Sequence, residues 1–360
     1  MRIFVFWSEH YAMRGTVDAV ARALGGWGHE VVVFRRRFSL RERLFGPDRP
    51  GDCRSWRLRR RARREAQNRA VRRTADADRP DLVLSFVGVD DWLFPETVAH
   101  LRQAAAGPVA AVLVDGLADR RMAGGLPHYN PVYSFDPRDP PVLREQYGRD
   151  TGAWRHFYDP AVFFPDAGVA PDIDLCFVGH PFPARLRLLD RVAAWCAEAG
   201  RRLAVAGRFW KAGRIGDKGR FARRHPALAR YVDNRLYAPA EAAMLYRRSI
   251  ICLNMHGNPS HEGGVQEGIN IRTFEILGAG GFQLVDRLRA LEPCFSAGRE
   301  LETYGDGDEL IEKIAYYLDH PDKRRSIAAR GHAAAREKWT VDRVMRGFLA
   351  GLAPDRGNAP

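Results

Sequence analysis

Length and composition fit a soluble chain with two domains: 360 residues is long for one core, and an apolar fraction of 46% is ordinary for a globular protein. No run of about 18 apolar residues occurs, which excludes a membrane-spanning helix of the usual kind. Five scattered cysteines (Cys53, Cys176, Cys196, Cys252 and Cys294) argue against a disulfide framework or a zinc site. The net charge of +13 rests on arginine, since lysine occurs only at positions 211, 218, 313, 323 and 338, and 52 of the 57 basic residues are arginine. Beside so much alanine and glycine this is a composition bias, and it weakens any functional reading of the charge.

The first half alternates strand and helix. Ile3 to Trp7 reads as a strand, and it begins without a signal-peptide apolar region or a small-residue cleavage site. With unpaired cysteines, that makes the cytoplasm the expected location. A helix pattern follows through Val17, Val20, Ala21 and Leu24 and stops at Gly25-Gly26, before the strand Val31 to Phe34. After a basic insertion come the strand Asp81 to Val87, a helix from Pro95 to Ala105 and the strand Val109 to Val114. Continuous apolar runs of this kind are buried parallel strands, and their alternation with helices predicts a doubly wound α/β domain. Ligands of such a sheet collect at the strand carboxyl ends, here Ser8, Glu9, His10, Gly88, Asp90, Asp91, Asp115 and Gly116.

The basic insertion, about 35–79, contains Arg35-Arg36-Arg37, Arg41, Arg43, Arg57 and the run Arg59 to Arg64, and the arginines continue to Arg73. It reads first as a solvated basic helix. It would also attract an anionic acceptor or an anionic membrane, placing the protein peripherally at the inner membrane face. Beyond Trp56 no aromatics are interleaved and no nucleic-acid module matches, so nucleic acid is not an expected partner.

Tyr158-Asp159-Pro160 and Phe164 to Pro171 are rich in Pro, Gly and Asp and read as a linker. The alternation then restarts: the strand Ile173 to Gly179, a helix from Arg185 to Ala199, the strand Arg202 to Gly207, a helix from Ala240 to Arg248 and the strand Ser249 to Asn254. A polar, Gly-rich loop, His256 to Gly268, leads into a short helix, Ile271 to Ala279, closed by Gly280-Gly281, and then the strand Phe282 to Asp286. Helices follow at Asp308 to His320, Pro321 to Glu337 and Val341 to Leu352.

Two carboxylates, Glu267 and Glu275, stand eight residues apart around that Gly-rich loop and helix start. A loop opening into a helix aims backbone N–H groups and a positive dipole end at an anion. The amides of Asn270 and Ile271 are therefore candidate phosphate donors. Arg272 is a further phosphate candidate or a surface ion-pair residue, and Asn254, at the strand end, would bond either a sugar or the loop backbone. Local spacing assembles no Ser/His/Asp or Cys/His triad. Asp306-Gly307-Asp308 is better explained as a turn and helix cap than as a metal motif.

The segment Glu267 to Val285 resembles the E-x7-E signature of retaining GT-B glycosyltransferases of the family 4 type, although the proline usual between the helix and the next strand is absent from Ala279-Gly280-Gly281-Phe282-Gln283-Leu284-Val285. Asn270-x-Arg272-x-Phe274-Glu275 with Gly280-Gly281-Phe282, Phe295 to Leu301 and Tyr304 to Leu310 resemble the CgeB-like, spore-maturation-type branch. The resemblance implies an α/β GT-B fold, two Rossmann-like doubly wound domains facing a cleft. Residues 1–165 would bind the acceptor, 172–338 the nucleotide sugar, and a final helix, 340–354, would cross back onto the first domain.

The implied activity is transfer of a sugar from a nucleotide diphosphate sugar to an acceptor (a small molecule, glycan or protein), with retention, no metal and no resident cofactor, and with domain closure to exclude water. The resemblance also implies roles. Arg185, six residues beyond Gly179, would bind the diphosphate through its fork, with His180 nearby. Glu275 would accept hydrogen bonds from ribose hydroxyls, while Glu267, followed by Gly268, would lie beside the donor sugar. Asp115 would be an acceptor-side catalytic group, although the histidine that precedes it in similar enzymes is Val114 here. The alternatives are a GT-B sugar-nucleotide 2-epimerase and a non-catalytic binding or coat-associated protein on the same fold.

Overall fold

The computed structural model describes residues 1–7, 14–35, 54–87, 93–114, 117, 125–148, 150–210, 216–257 and 267–352. They fall into two compact units, one running from Met1 to Trp154 and the other beginning at Arg155. Among the described residues no helix is long and apolar enough to cross a membrane.

The first unit is a six-stranded sheet: β1 (Arg2–Trp7), β2 (Glu30–Arg35), β3 (Leu82–Val87), β4 (Val109–Leu113), β5 (Val132–Ser134) and β6 (Thr151–Ala153). The strand order is β2-β1-β3-β4-β5-β6 and every pair is parallel. The uninterrupted apolar runs of β3 and β4 are buried throughout because helices cover both faces of a parallel sheet. β5 and β6 are too short to carry a readable pattern, and the helix between them, Asp139–Tyr147, begins at a Pro-rich turn.

Within the basic insertion lies a 25-residue helix, Arg54–Asp78. Asn68, Val71 and Ala75 form its buried stripe at helical spacing. Asn68 accepts from the amide of Phe94 at 2.9 Å, Arg64 donates to the carbonyl of Leu93 at 3.0 Å, and Arg72 donates to Thr97 Oγ1 at 2.8 Å. These bonds dock the helix on the start of the next one, Pro95–Ala104. Arg59, Arg69 and Arg73 remain on its exposed side.

The second unit is another six-stranded parallel sheet: β7 (Ile173–Val178), β8 (Leu203–Ala206), β9 (Val232–Asp233), β10 (Ser249–Asn254), β11 (Gln283–Asp286) and β12 (Glu302–Tyr304). Its order is β12-β11-β10-β7-β8-β9. Side chains alternate between two cores. Leu175, Phe177, Ile251, Leu253 and Leu284 pack with the helices Pro183–Glu198 and Gly307–Asp319. Cys176, Cys252 and Val285 pack with the helices Pro239–Arg247 and Ile271–Gly278. The order reverses between β7 and β10, so the chain leaves these neighbours toward opposite faces and opens a crevice at their carboxyl ends.

The Pro-, Gly- and Asp-rich segment after Arg155 is packed on the second unit. The amide of Tyr158 donates to the carbonyl of Trp339, and the amide of Val341 donates to that of Tyr158, both at 3.0 Å. Arg247 donates to the carbonyls of Phe164 at 2.7 Å and Val162 at 2.9 Å. The buried Tyr158 ring lies against Gly278, where an added Cβ would come within 2.3 Å of Tyr158 Cδ2. Gly278→Ala should therefore destabilise the second unit by about 1–3 kcal/mol through overpacking, although alanine is the better helix former. Urea unfolding checks this, and an unchanged midpoint would contradict the packing.

Candidate functional site

The site is built where β7, β10 and β11 end. Glycines let the backbones approach there: an added Cβ on Gly207, whose φ is +149°, would lie 2.0 Å from the carbonyl oxygen of Gly179. One on Gly179 would lie 2.8 Å from Phe177 Cζ. Beside this contact, Arg185 enters the crevice from the first turns of the helix Pro183–Glu198 and is 2% exposed. Its Nε donates to the carbonyls of Met255 at 2.8 Å and His256 at 3.2 Å, and its Nη1 donates to that of His180 at 3.2 Å. The guanidinium also lies 4.8 Å from the centre of the Phe182 ring. Burial, aided by repulsion from Arg272, lowers its pKa to about 9 against the opposing pull of Asp286 and Tyr304, so it keeps its charge at neutral pH.

The open fork expected of Arg185 is thus partly engaged: it braces the loops after β7 and β10 and brings its charge to their junction. His180 contributes its carbonyl to that brace while its side chain is exposed.

Asn254, fully buried at the end of β10, has its side chain engaged by three neighbouring side chains. It donates to Thr273 Oγ1 at 2.9 Å and Gln283 Oε1 at 3.2 Å, and accepts from Asn270 Nδ2 at 2.8 Å. Asn270 caps the helix Ile271–Gly278, its Oδ1 accepting from the amide of Thr273 at 3.2 Å. The amide of Asn270, an expected anion donor, is instead taken by His256 Nε2 at 3.0 Å. Among the described residues no partner takes the amides of Ile271 and Arg272, which leaves these as the donors at the helix start.

His256 is the residue that sequence reasoning missed. Its amide donates to Asp286 Oδ1 at 2.9 Å and Oδ2 at 3.0 Å, and its Nδ1 lies 2.6 Å from Asp286 Oδ1. Because Nε2 accepts from Asn270, the ring proton sits on Nδ1 and is donated to Asp286. Burial pushes the Asp286 carboxyl up, yet the pull of His256 outweighs it and the net shift is down. A signal was present: polar residues at the carboxyl ends of two adjacent buried strands.

Arg272 is half-buried in the first turn of the helix, and among the described residues no hydrogen-bond or ion-pair partner takes its guanidinium. Glu275 follows one turn later. Burial raises its carboxyl to about 7, with Arg272 pulling the other way. Its field reaches the hydroxyl of Tyr246, which is 1% exposed and has no hydrogen-bond partner among the described residues. Glu267 is half-buried in the loop ahead of the helix and Gly268 is buried.

The structure thus gathers Gly179, the His180 carbonyl, Arg185, Asn254, Asn270, Ile271, Arg272 and Glu275 around one junction. Asp115 lies outside the described residues, as do Ser8, Glu9, His10, Gly88, Asp90, Asp91 and Gly116. Asp306 caps the helix Gly307–Asp319 by accepting from the amides of Asp308 and Glu309, each at 2.9 Å.

Residues 185–350 match the model of the glycosyl transferase-like family. The chain is 26% identical to the spore protein CgeB of Bacillus subtilis (strain 168) over 180 residues, which is 48% of this chain and 51% of CgeB. It therefore spans about half the length of that curated relative. Among solved structures, it is similar to a sucrose-phosphate synthase from Thermosynechococcus elongatus (TM-score 0.66, 14% identity, 98% of each chain covered). The Anabaena protein HepE in complex with UDP-glucose is similar as well (TM-score 0.65, 13% identity, 98% of this chain and 99% of HepE covered). The chain has the GT-B fold, and within it residues 185–350 are similar to the glycosyl transferase-like family.

Proposed function

We propose that this protein transfers a sugar from a nucleotide diphosphate sugar to an acceptor hydroxyl, with retention and without a metal, and that the donor binds at the β7–β10 junction. The observation that carries this reading is Arg272: a half-buried cation without a hydrogen-bond or ion-pair partner among the described residues, in the field of buried Arg185 and beside the amides of Ile271 and Arg272. Two cations held together against their own repulsion, at a helix start, favour a dianionic group. HepE, of the same fold, is solved with UDP-glucose, which supports a nucleotide sugar as the ligand class. The first unit is assigned the acceptor.

In this reaction the bond between the anomeric carbon and the phosphate oxygen breaks, and that oxygen keeps the electron pair. Arg272, the helix-start amides and the field of Arg185 stabilise the charge as it forms. The acceptor oxygen bonds the anomeric carbon on the same face and passes its proton to the departing phosphate. Glu275 accepts from the ribose hydroxyls, and Glu267 lies beside the sugar.

Calorimetry with UDP and GDP tests the site. Arg272→Ala should weaken the preferred nucleotide by about 1.5–3 kcal/mol, roughly ten- to a hundredfold; unchanged affinity would reject the assignment. Incubation of the donor without acceptor separates the activities: slow release of free sugar and nucleotide fits a transferase, whereas conversion to the C2 epimer alone would favour the epimerase.

Glu275 gives a pH signature. Its folded pKa, about 7, lies above the ordinary 4.5, so the native state holds a proton that the unfolded chain releases. Its contribution to stability is full below 4.5 and is lost as pH rises through 7. Glu275→Gln should therefore gain on the parent over that window, by on the order of 2 kcal/mol in urea unfolding. Nucleotide affinity runs the other way, since a carboxylate accepting ribose hydroxyls must be ionised. The parent should bind more tightly as pH climbs through about 7, and Glu275→Gln should bind weakly with a flat profile. A flat parent profile would remove Glu275 from the ribose.

A further inference from the structure

We propose that His256 is a positioning residue that fixes the two cation-bearing helices of the donor site relative to each other; this rests on the donor reading above. Arg185 and Arg272 stand on helices packed against opposite faces of the same sheet, Pro183–Glu198 and Ile271–Gly278. The Asn254–Asn270 bond ties the second helix to β10, and a further link is needed to relate it to Arg185. His256, 6% exposed, bonds toward both. Its carbonyl accepts from Arg185 Nε at 3.2 Å. Its ring Nε2 accepts from the amide of Asn270 at 3.0 Å, at the cap of the second helix and two residues before Arg272.

The third arm keeps the ring from turning. Asp286, at the end of β11, receives both the backbone N–H and Nδ1–H of His256. Imidazole suits this junction because a neutral ring carries a donor on one edge and an acceptor on the other. An amide side chain at this position can serve Asp286 or Asn270 but not span both. A doubly protonated ring would present N–H to the Asn270 amide and break the arm that holds the helix. The arrangement also selects which amides meet the ligand: Asn270 is withdrawn, so the anion meets Ile271 and Arg272. The role thus acts through placement, and His256 need not touch the donor.

Two variants separate the arms. In His256→Asn the amide nitrogen falls near the place of Nδ1 and keeps Asp286, but nothing reaches Asn270. In His256→Gln the side-chain oxygen falls near the place of Nε2 and can accept from Asn270. With UDP as the probe in calorimetry, His256→Asn should bind about tenfold or more weakly than the parent, the loss of one bond to a placed group. His256→Gln should recover part of that loss. Urea midpoints measured alongside separate placement from unfolding, because a merely structural role predicts that affinity follows stability rather than the side chain's reach.

A nitrogen-15 histidine spectrum of the parent adds a signature, the neutral Nδ1–H tautomer for His256. Parent-like UDP binding by His256→Asn, a tighter His256→Asn than His256→Gln, or the Nε2–H tautomer would each overturn the role. If the parent binds none of UDP, GDP and TDP, the donor reading falls and takes this role with it. If the parent binds and the variants disobey the order, only the positioning role falls.

Discussion

The second unit is organised around the burial of one positive charge. A guanidinium withdrawn from water must be surrounded by acceptors, and Arg185 finds them in backbone carbonyls at the ends of two strands. That demand draws the loops after β7 and β10 together. It also explains the glycines: Gly179 and Gly207 let one strand end lie on the next, and a Cβ on Gly257, at φ +121°, would already touch Ala184 and Arg185. The topology supplies the opportunity, since β7 and β10 are neighbours at the point where the strand order reverses.

A buried polar network then carries the constraint to the second helix. Asn254, Asn270, Thr273 and Gln283 satisfy one another, so the helix start is held by the sheet itself rather than by solvent-exposed side chains. Such a network is rigid because each member left unpaired would be costly. The result is a preformed electrostatic frame. Arg185 and Arg272 raise the local positive potential, while burial raises the Glu275 carboxyl to about 7.

Much of this frame was legible in the sequence because it is local. The apolar runs of β3, β4, β7 and β10 announced buried parallel strands, and the glycine-flanked pattern around Ile271 announced a short helix with an exposed start. β9 and β12 were not legible, since two or three residues carry no period, and neither was the helix Asp217–Arg224. Among site residues, Arg185 and Glu275 could be named from the resemblance of single segments to a known family. What those residues do was harder to foresee. The withdrawal of the Asn270 amide by His256 and the bracing duty of Arg185 depend on partners up to 71 positions away, and spacing along the chain does not report such pairings.

The described cysteines have a consequence of their own. Cys176, Cys196, Cys252 and Cys294 are all buried, and all belong to the second unit. Cys176 and Cys252 face each other in register across β7 and β10, directly beneath the strand ends that form the site. A thiol reagent in solution can meet them only when that core opens. The rate at which they are modified is therefore a native clock for the opening of this sheet, and any ligand that holds the strand ends together slows it without an added label.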